Sequence, residues 1–279
     1  MTENSRNTKG KVVLQTQGLT KVFGGLTAVS KFDFQIHQGE ICSLIGPNGA
    51  GKTTVFNVVT GIYKPEYGEV FFMGKNITGK KTHEIVSYGI ARTFQNIRLF
   101  PDMTCLENIK AGQHCRSSAG LWASIFRTPH QRKEERHIQE IAESRIRQID
   151  LWNFRDEPAK NIAYGSQRRL EIARALATEP ALLILDEPSS GLNPRETQDL
   201  MKFLKNLIAE DDLTILLIEH DMNVVMGVSD WVIVMDDGRK IAEGPPLQIY
   251  NDPLVIEAYL GKDDEIQEPD RDEQVRGNG

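Results

Sequence analysis

The feature that most restricts this 279-residue chain lies between Ile41 and Gly61. Residues 41–45 are apolar apart from Ser43 and run straight into Gly46-Pro47-Asn48-Gly49-Ala50-Gly51-Lys52-Thr53-Thr54. A helix-compatible stretch from Thr53 to Thr60 follows and closes at Gly61. The order is strand, glycine-rich loop, helix. Glycines at these positions let successive backbone N–H groups curl around an anion at the positive end of a helix dipole, so the loop is suited to phosphate. Lys52 would reach the β and γ phosphates of a nucleotide, and Thr53 would ligate Mg²⁺. Taken alone, the loop leaves kinase, GTPase and ATPase chemistry open.

The rest of the chain supplies a sheet to carry that loop. Apolar runs at 182–185, 215–218 and 231–235 are short, bounded by polar or turn residues, and rich in Leu, Ile and Val. They suit strands buried on both faces of a parallel sheet, with a crossover helix opened by Pro194. Earlier, residues 12–16 and 32–36 alternate apolar and polar side chains around Gly24-Gly25, which predicts a small sheet of half-buried strands. From about Leu106 to Ala177 the pattern turns helical, with Ile138, Ile141, Ala142, Ile146 and Ile149 at three- and four-residue steps. Within it, Gly112, Gly120 and Pro129 predict a loop and a short helix over 112–130. From Gly261 the chain has almost no apolar residue and is expected to be a solvated tail.

Composition narrows the function classes. A net charge of −6 gives no overall basic field to hold nucleic acid. Cys42, Cys105 and Cys115 are odd in number and lack CxxC spacing, which predicts a reducing compartment. No apolar run approaches the roughly 18 residues of a spanning helix, and the first residues carry charge and amides where a signal peptide would be apolar. Any membrane attachment is expected to come through a partner.

A second motif sharpens the first. Residues 181–186, Ala-Leu-Leu-Ile-Leu-Asp, read as a buried strand ending in Asp186, with Glu187 where the backbone leaves the sheet. Asp186 can hold Mg²⁺ through water while Glu187 polarises the water that attacks a γ-phosphate. Between the two motifs lies AYGSQRRLEIARAL at 163–176. With all three in this order, the sequence resembles the ATP-binding cassette family. The resemblance implies an α/β fold: a P-loop core with a mostly parallel sheet, an N-terminal antiparallel β subdomain and an inserted helical subdomain at about 96–165. The cassette would span 11–262, leaving an acidic tail at 263–279, expected to be disordered.

The resemblance also implies roles, position by position. Gln95, in ARTFQ after a short strand, matches the glutamine that senses Mg²⁺ and the attacking water. His220, after ILLIE, matches the switch histidine on the γ-phosphate, and Phe23, in KVFGG, the aromatic that stacks on adenine. Ser190-Gly191-Leu192-Asn193 matches the loop that crosses a dimer seam. Ala163, Tyr164, Gly165 and Ser166 match the signature that contacts nucleotide across that seam, where a helix N-terminus offers amides and a positive dipole end. Here the sequence departs from the general pattern. Ala163 and Tyr164 replace a serine and a glycine, and Ser166 stands where glutamine is common. Loss of the serine hydroxyl removes a charge-assisted contact of about 1–3 kcal/mol.

The strings SLIGPNGAGKTTVFNVVTGIYKP, ARTFQNIRLFPDMT and TILLIEHDMNVVMGVSD, with the ending EGPPLQIYNDPLVIEAYLG, resemble the branch whose cassettes energise import of branched-chain amino acids. That implies an ATP- and Mg²⁺-dependent ATPase, peripheral on the cytoplasmic face of the membrane. It would pair with a second cassette, usually a paralogous chain, with a homodimer allowed in isolation. A permease helix would dock near Gln95, Asn96, Ile97, Phe100 and Pro101, and a solute-binding protein would act indirectly. Importers of urea, amides or other small solutes use similar ATPases. A soluble cassette in translation or DNA metabolism is disfavoured by the single P-loop, the lack of sustained heptads and the net negative charge.

Overall fold

A computed structural model describes residues 10–113, 129–211 and 213–260. Strands β1 (Val12–Phe23) and β2 (Leu26–His37) form an antiparallel hairpin closed at Gly24-Gly25, where both glycines take the positive φ that such a turn requires. β3 (Ile41–Ile45) leads through the glycine-rich loop into α1 (Lys52–Val59). β4 (Tyr67–Phe72) and β5 (Lys75–Asn76) return to the far side of β1, giving a four-stranded antiparallel sheet ordered β2-β1-β4-β5. After α2 (Thr82–Tyr88) and the short β6 (Ile90–Arg92) come the helices α3 (Cys105–Gln113), α4 (Pro129–Gln148) and α5 (Tyr164–Leu176). The chain then alternates: β7 (Leu182–Asp186), α6 (Pro194–Asp211), β8 (Thr214–Ile218), α7 (Met222–Val228) and β9 (Trp231–Asp236). It closes with β10 (Arg239–Gly244), α8 (Pro246–Tyr250) and α9 (Pro253–Leu260).

The second sheet has the order β10-β9-β3-β8-β7-β6, parallel except for β10. Strands β3, β7, β8 and β9 are buried on both faces, and the period of two divides their side chains cleanly. Cys42, Leu44, Leu182, Ile184, Leu216 and Ile218 share a core with α1 and the antiparallel sheet. Ile41, Leu183, Leu185, Ile215 and Leu217 face a second core built with α3, α4, α5 and α6. Each such Leu or Ile stabilises the fold by about 1.5–3 kcal/mol. Ser43, the lone polar residue of β3, is buried and meets the Ser229 hydroxyl at 2.6 Å.

The strands expected at 12–16 and 32–36 are longer than their alternation suggests. Each hairpin arm runs 12 residues, and register shifts along β1 break the strict period that marks a strand in sequence. Of the segment 112–130, Gly112 lies in α3 and Pro129 opens α4; the predicted loop and short helix otherwise fall outside the described residues, as do Cys115 and the acidic tail. Among the described residues no helix is long and apolar enough to cross a membrane.

Candidate nucleotide site

The glycine-rich loop is fixed by what surrounds it. Gly46 has φ 151°, and a Cβ there would lie 1.9 Å from the carbonyl oxygen of Met235 on β9. At Gly51, with φ 100°, a Cβ would lie 2.4 Å from the oxygen of Ala28. Only glycine fits either place, so the loop is wedged against its neighbours with its backbone bare. Pro47 and Ala50 are buried, Asn48 and Gly49 exposed, and the Gly238 amide donates to Ala50 O at 3.0 Å, tying the loop to the β9–β10 turn. Lys52 is buried, its Nζ donating to the carbonyls of Gly46 at 2.6 Å and Pro47 at 2.9 Å. The ammonium thus lies over the loop itself. Thr53 is exposed and Thr54 half-buried on the first turn of α1. Phe23 stands apart from both cores, 40% exposed at the tip of the hairpin, edge-on to Tyr63 at 5.1 Å and with Lys21 Nζ 4.9 Å from its ring centre.

Because β3, β7 and β8 are parallel neighbours, their C-terminal ends deliver the loop, the carboxylates and His220 to one edge of the sheet. Three of the expected residues meet there. Gln95 Nε2 donates to Glu187 Oε2 at 3.0 Å, and His220 Nδ1 lies 3.6 Å from the same oxygen. Glu187 has φ 45°, a left-handed conformation uncommon for a glutamate and held by its amide's hydrogen bond to Ile218 O at 2.9 Å. Asp186, one residue earlier, is buried at the end of β7. Burial pushes its carboxyl above the usual range; Arg92 opposes that shift and Glu187 reinforces it.

The segment matching the signature opens α5. Ala163 is the N-cap and exposed; Gly165 is buried against Glu196, whose carboxylate a Cβ at that position would strike at 2.6 Å. Ser166 is half-buried beside Arg169 and Leu192 in a small cleft. Tyr164 accounts physically for one departure from the general pattern. Its ring covers Gly191, and its hydroxyl donates to Ser190 O at 3.3 Å, so it braces the Ser190–Asn193 loop. Nothing in the structure explains Ser166. Asn193 caps α6: its Oδ1 accepts from the amides of Arg195 and Glu196, each at 3.0 Å, while Glu196 accepts from the Asn193 amide at 3.0 Å.

Residues 29–190 match the family model described as ABC transporter, and residues 239–265 that described as branched-chain amino acid ATP-binding cassette transporter. The chain belongs to the ABC transporter family. The cassette is 46% identical over 250 residues to the high-affinity branched-chain amino acid transport ATP-binding protein BraF of Pseudomonas aeruginosa, and 45% to LivG of Escherichia coli. In both comparisons the match covers 90% of this chain and 98% of the relative. Among solved structures, the ADP conformation of the ATP-binding cassette MJ1267 superposes with a TM-score of 0.79 at 34% identity, covering 90% of this chain and 99% of that one. A dimeric post-hydrolysis state of the cassette MJ0796, bound to ADP and Pi, gives 0.68 at 26% identity, covering 84% and 98%. The chain is therefore the ATP-binding, ATP-hydrolysing subunit of a transporter.

Four residues of the cassette site escaped sequence reasoning. Arg92 ends β6 between the rings of Phe56 and Phe94, donates to Asn57 Oδ1 and Thr60 Oγ1 at 3.0 Å each, and lies 3.7 Å from Asp186. Burial lowers its guanidinium to about 10, which leaves it charged at neutral pH. Glu219 is wholly buried and accepts from the Ser189 amide at 2.9 Å, steadying the turn after Glu187. Arg168 and Glu171 form a buried pair on α5. The available signal was charge at strand ends and on the core side of a helix, a pattern that periodicity alone treats as noise.

Proposed function

We propose that the cassette is the energy-coupling subunit of an importer for branched-chain amino acids, peripheral on the cytoplasmic face and bound to membrane permeases. The match of residues 239–265, outside the nucleotide core, supports that solute class, as do BraF and LivG. ATP is the substrate. Its phosphates suit the loop Gly46–Thr54, with Lys52 leaving its loop carbonyls for the β and γ phosphates and Phe23 stacking on adenine. Glu187 polarises the attacking water, Gln95 and His220 orient it and the γ-phosphate, and Ala163–Ser166 of each protomer face the partner's nucleotide, with Asn193 at the seam. The convergence of Gln95 and His220 on one Glu187 oxygen carries this part of the reading.

The residues also fit Mg²⁺. The hydroxyl of Thr53, the carboxylate of Asp186 and the amide oxygen of Gln95 are hard oxygen donors, and few such protein groups suffice where substrate phosphates supply the remaining ligands. Thr53, Asp186 and Gln95 would hold it. When bound, the ion neutralises charge on the phosphate oxygens.

A groove of about 270 Å³ is lined by Ala91, Phe100, Gly112, Arg174 and Ala175; of the segment 95–101 only Phe100, half exposed, lines it. It would receive a short permease helix. A paralogous cassette is the expected dimer partner, a solute-binding protein acts indirectly, and no nucleic acid is involved.

Two measurements test the reading. Lys52→Ala in the full-length chain is expected to abolish MgATP binding and phosphate release; intact affinity and turnover would sink the site assignment. Turnover of the assembled transporter should rise with a leucine-loaded binding protein, and stimulation by a urea- or amide-loaded one instead would reassign the solute.

A further inference from the structure

Helix α5 starts at the signature and one turn later buries Arg168, which is 0% exposed. Its Nη1 donates to the Phe94 carbonyl at 2.9 Å and to Glu171 Oε2 at 3.0 Å; its Nη2 donates to the Gln95 carbonyl at 2.7 Å and to the Tyr164 hydroxyl at 3.4 Å. Glu171, equally buried, accepts the Arg98 amide on Oε1 at 3.0 Å. Both ends of the 94–98 segment are therefore pinned to a single turn of α5.

Packing does not require this arrangement. Taking a guanidinium and a carboxylate out of water is costly, and apolar residues of similar volume commonly stabilise a core as well or better. What the pair supplies is direction. A planar fork holding two consecutive carbonyls fixes the peptide between Phe94 and Gln95, and thereby the bearing of the Gln95 side chain. That side chain reaches Glu187.

We propose that Arg168 is a positioning residue for ATP hydrolysis. By gripping the carbonyls of Phe94 and Gln95 it aims Gln95 at Glu187, and it ties each protomer's signature helix to that protomer's own glutamine. The Tyr164 hydroxyl, in contact with both Arg168 and Ser190, extends the tie to the seam loop. The inference rests on the roles proposed above for Gln95 and Glu187.

Arg168→Lys tests it, because lysine keeps a charge for Glu171 but has no fork to span two carbonyls. In the full-length chain, turnover is expected to fall about tenfold, the equivalent of one lost charge-assisted bond. MgATP affinity should stay within about twofold, and amide hydrogen exchange should quicken at residues 95–98 but not in the phosphate loop. The neutral pair Arg168→Met with Glu171→Gln leaves no buried charge alone and should show the same loss with the fold intact. In a Gln95→Ala background, Arg168→Lys should slow turnover by no more than about twofold further. An undiminished extra loss there would overturn the proposal while leaving Gln95 in place. If Gln95→Ala alone changes nothing, the role of Gln95 fails instead. Unaltered exchange at 95–98 in Arg168→Lys sinks the clamp in either case.

Discussion

The phosphate loop and the Glu187 cluster meet at one edge of the same sheet yet are made in opposite ways. The loop is a local object. Nine consecutive residues contain its glycines, its lysine and its helix start, and two close backbone approaches dictate which positions must lack a Cβ. The cluster is assembled from a distance, since Gln95 and Glu187 stand 92 positions apart and His220 lies on a third segment. A binding surface can thus be encoded by spacing alone, whereas reactive geometry depends on how several strands end together.

The contrast can be broken experimentally. Glu187→Gln should cut phosphate release by about 100- to 10,000-fold while leaving MgATP affinity near wild type, since it removes a base and no phosphate contact. Equal losses in affinity and turnover would erase the distinction between the two regions. Gly46→Ala should behave oppositely, costing about 3 kcal/mol or more in urea unfolding, because a methyl 1.9 Å from a β9 carbonyl displaces strand as well as loop.

Arg92→Met probes the boundary between them. Asp186 has its folded pKa raised, so its contribution to stability is present below the ordinary carboxylate value and lost as pH rises through the folded one. Removing the cation raises that pKa further. The variant should lose about 2 kcal/mol near pH 8 and less as acid protonates Asp186 and removes the charge that Arg92 pairs; a pH-independent deficit in paired melts would show that Arg92 acts only through its stacking on Phe56 and Phe94 and its hydrogen bonds to Asn57 and Thr60. Asn193→Ala should cost about 1 kcal/mol through the lost cap, and Asn193→Ser should restore most of it. A turnover loss with Ser as large as with Ala would then locate an additional role at the seam.

The parallel strands were legible in sequence because burial on both faces leaves uninterrupted apolar runs, and the loop because its glycines serve backbone geometry. The signature's departures were visible, but their meaning was not. Tyr164 replaces a glycine in the family pattern, and only the fold shows that its ring lies over Gly191. Arg168 was hidden for a related reason: on a helix with several arginines, the one that turns inward is chosen by carbonyls 73 and 74 positions away. The length of β1 was obscured by its bulges, which break the alternation that advertises a strand.

The packing of Tyr164 on Gly191 has an evolutionary corollary. With φ 79° and a ring 3.0 Å from where a methyl would sit, position 191 can gain bulk only if position 164 gives it up. Among transport ATPases that carry a small residue at position 164, the steric bar at 191 should be lifted and only the cost of its positive φ should remain. Where a tyrosine stands, position 191 should be locked.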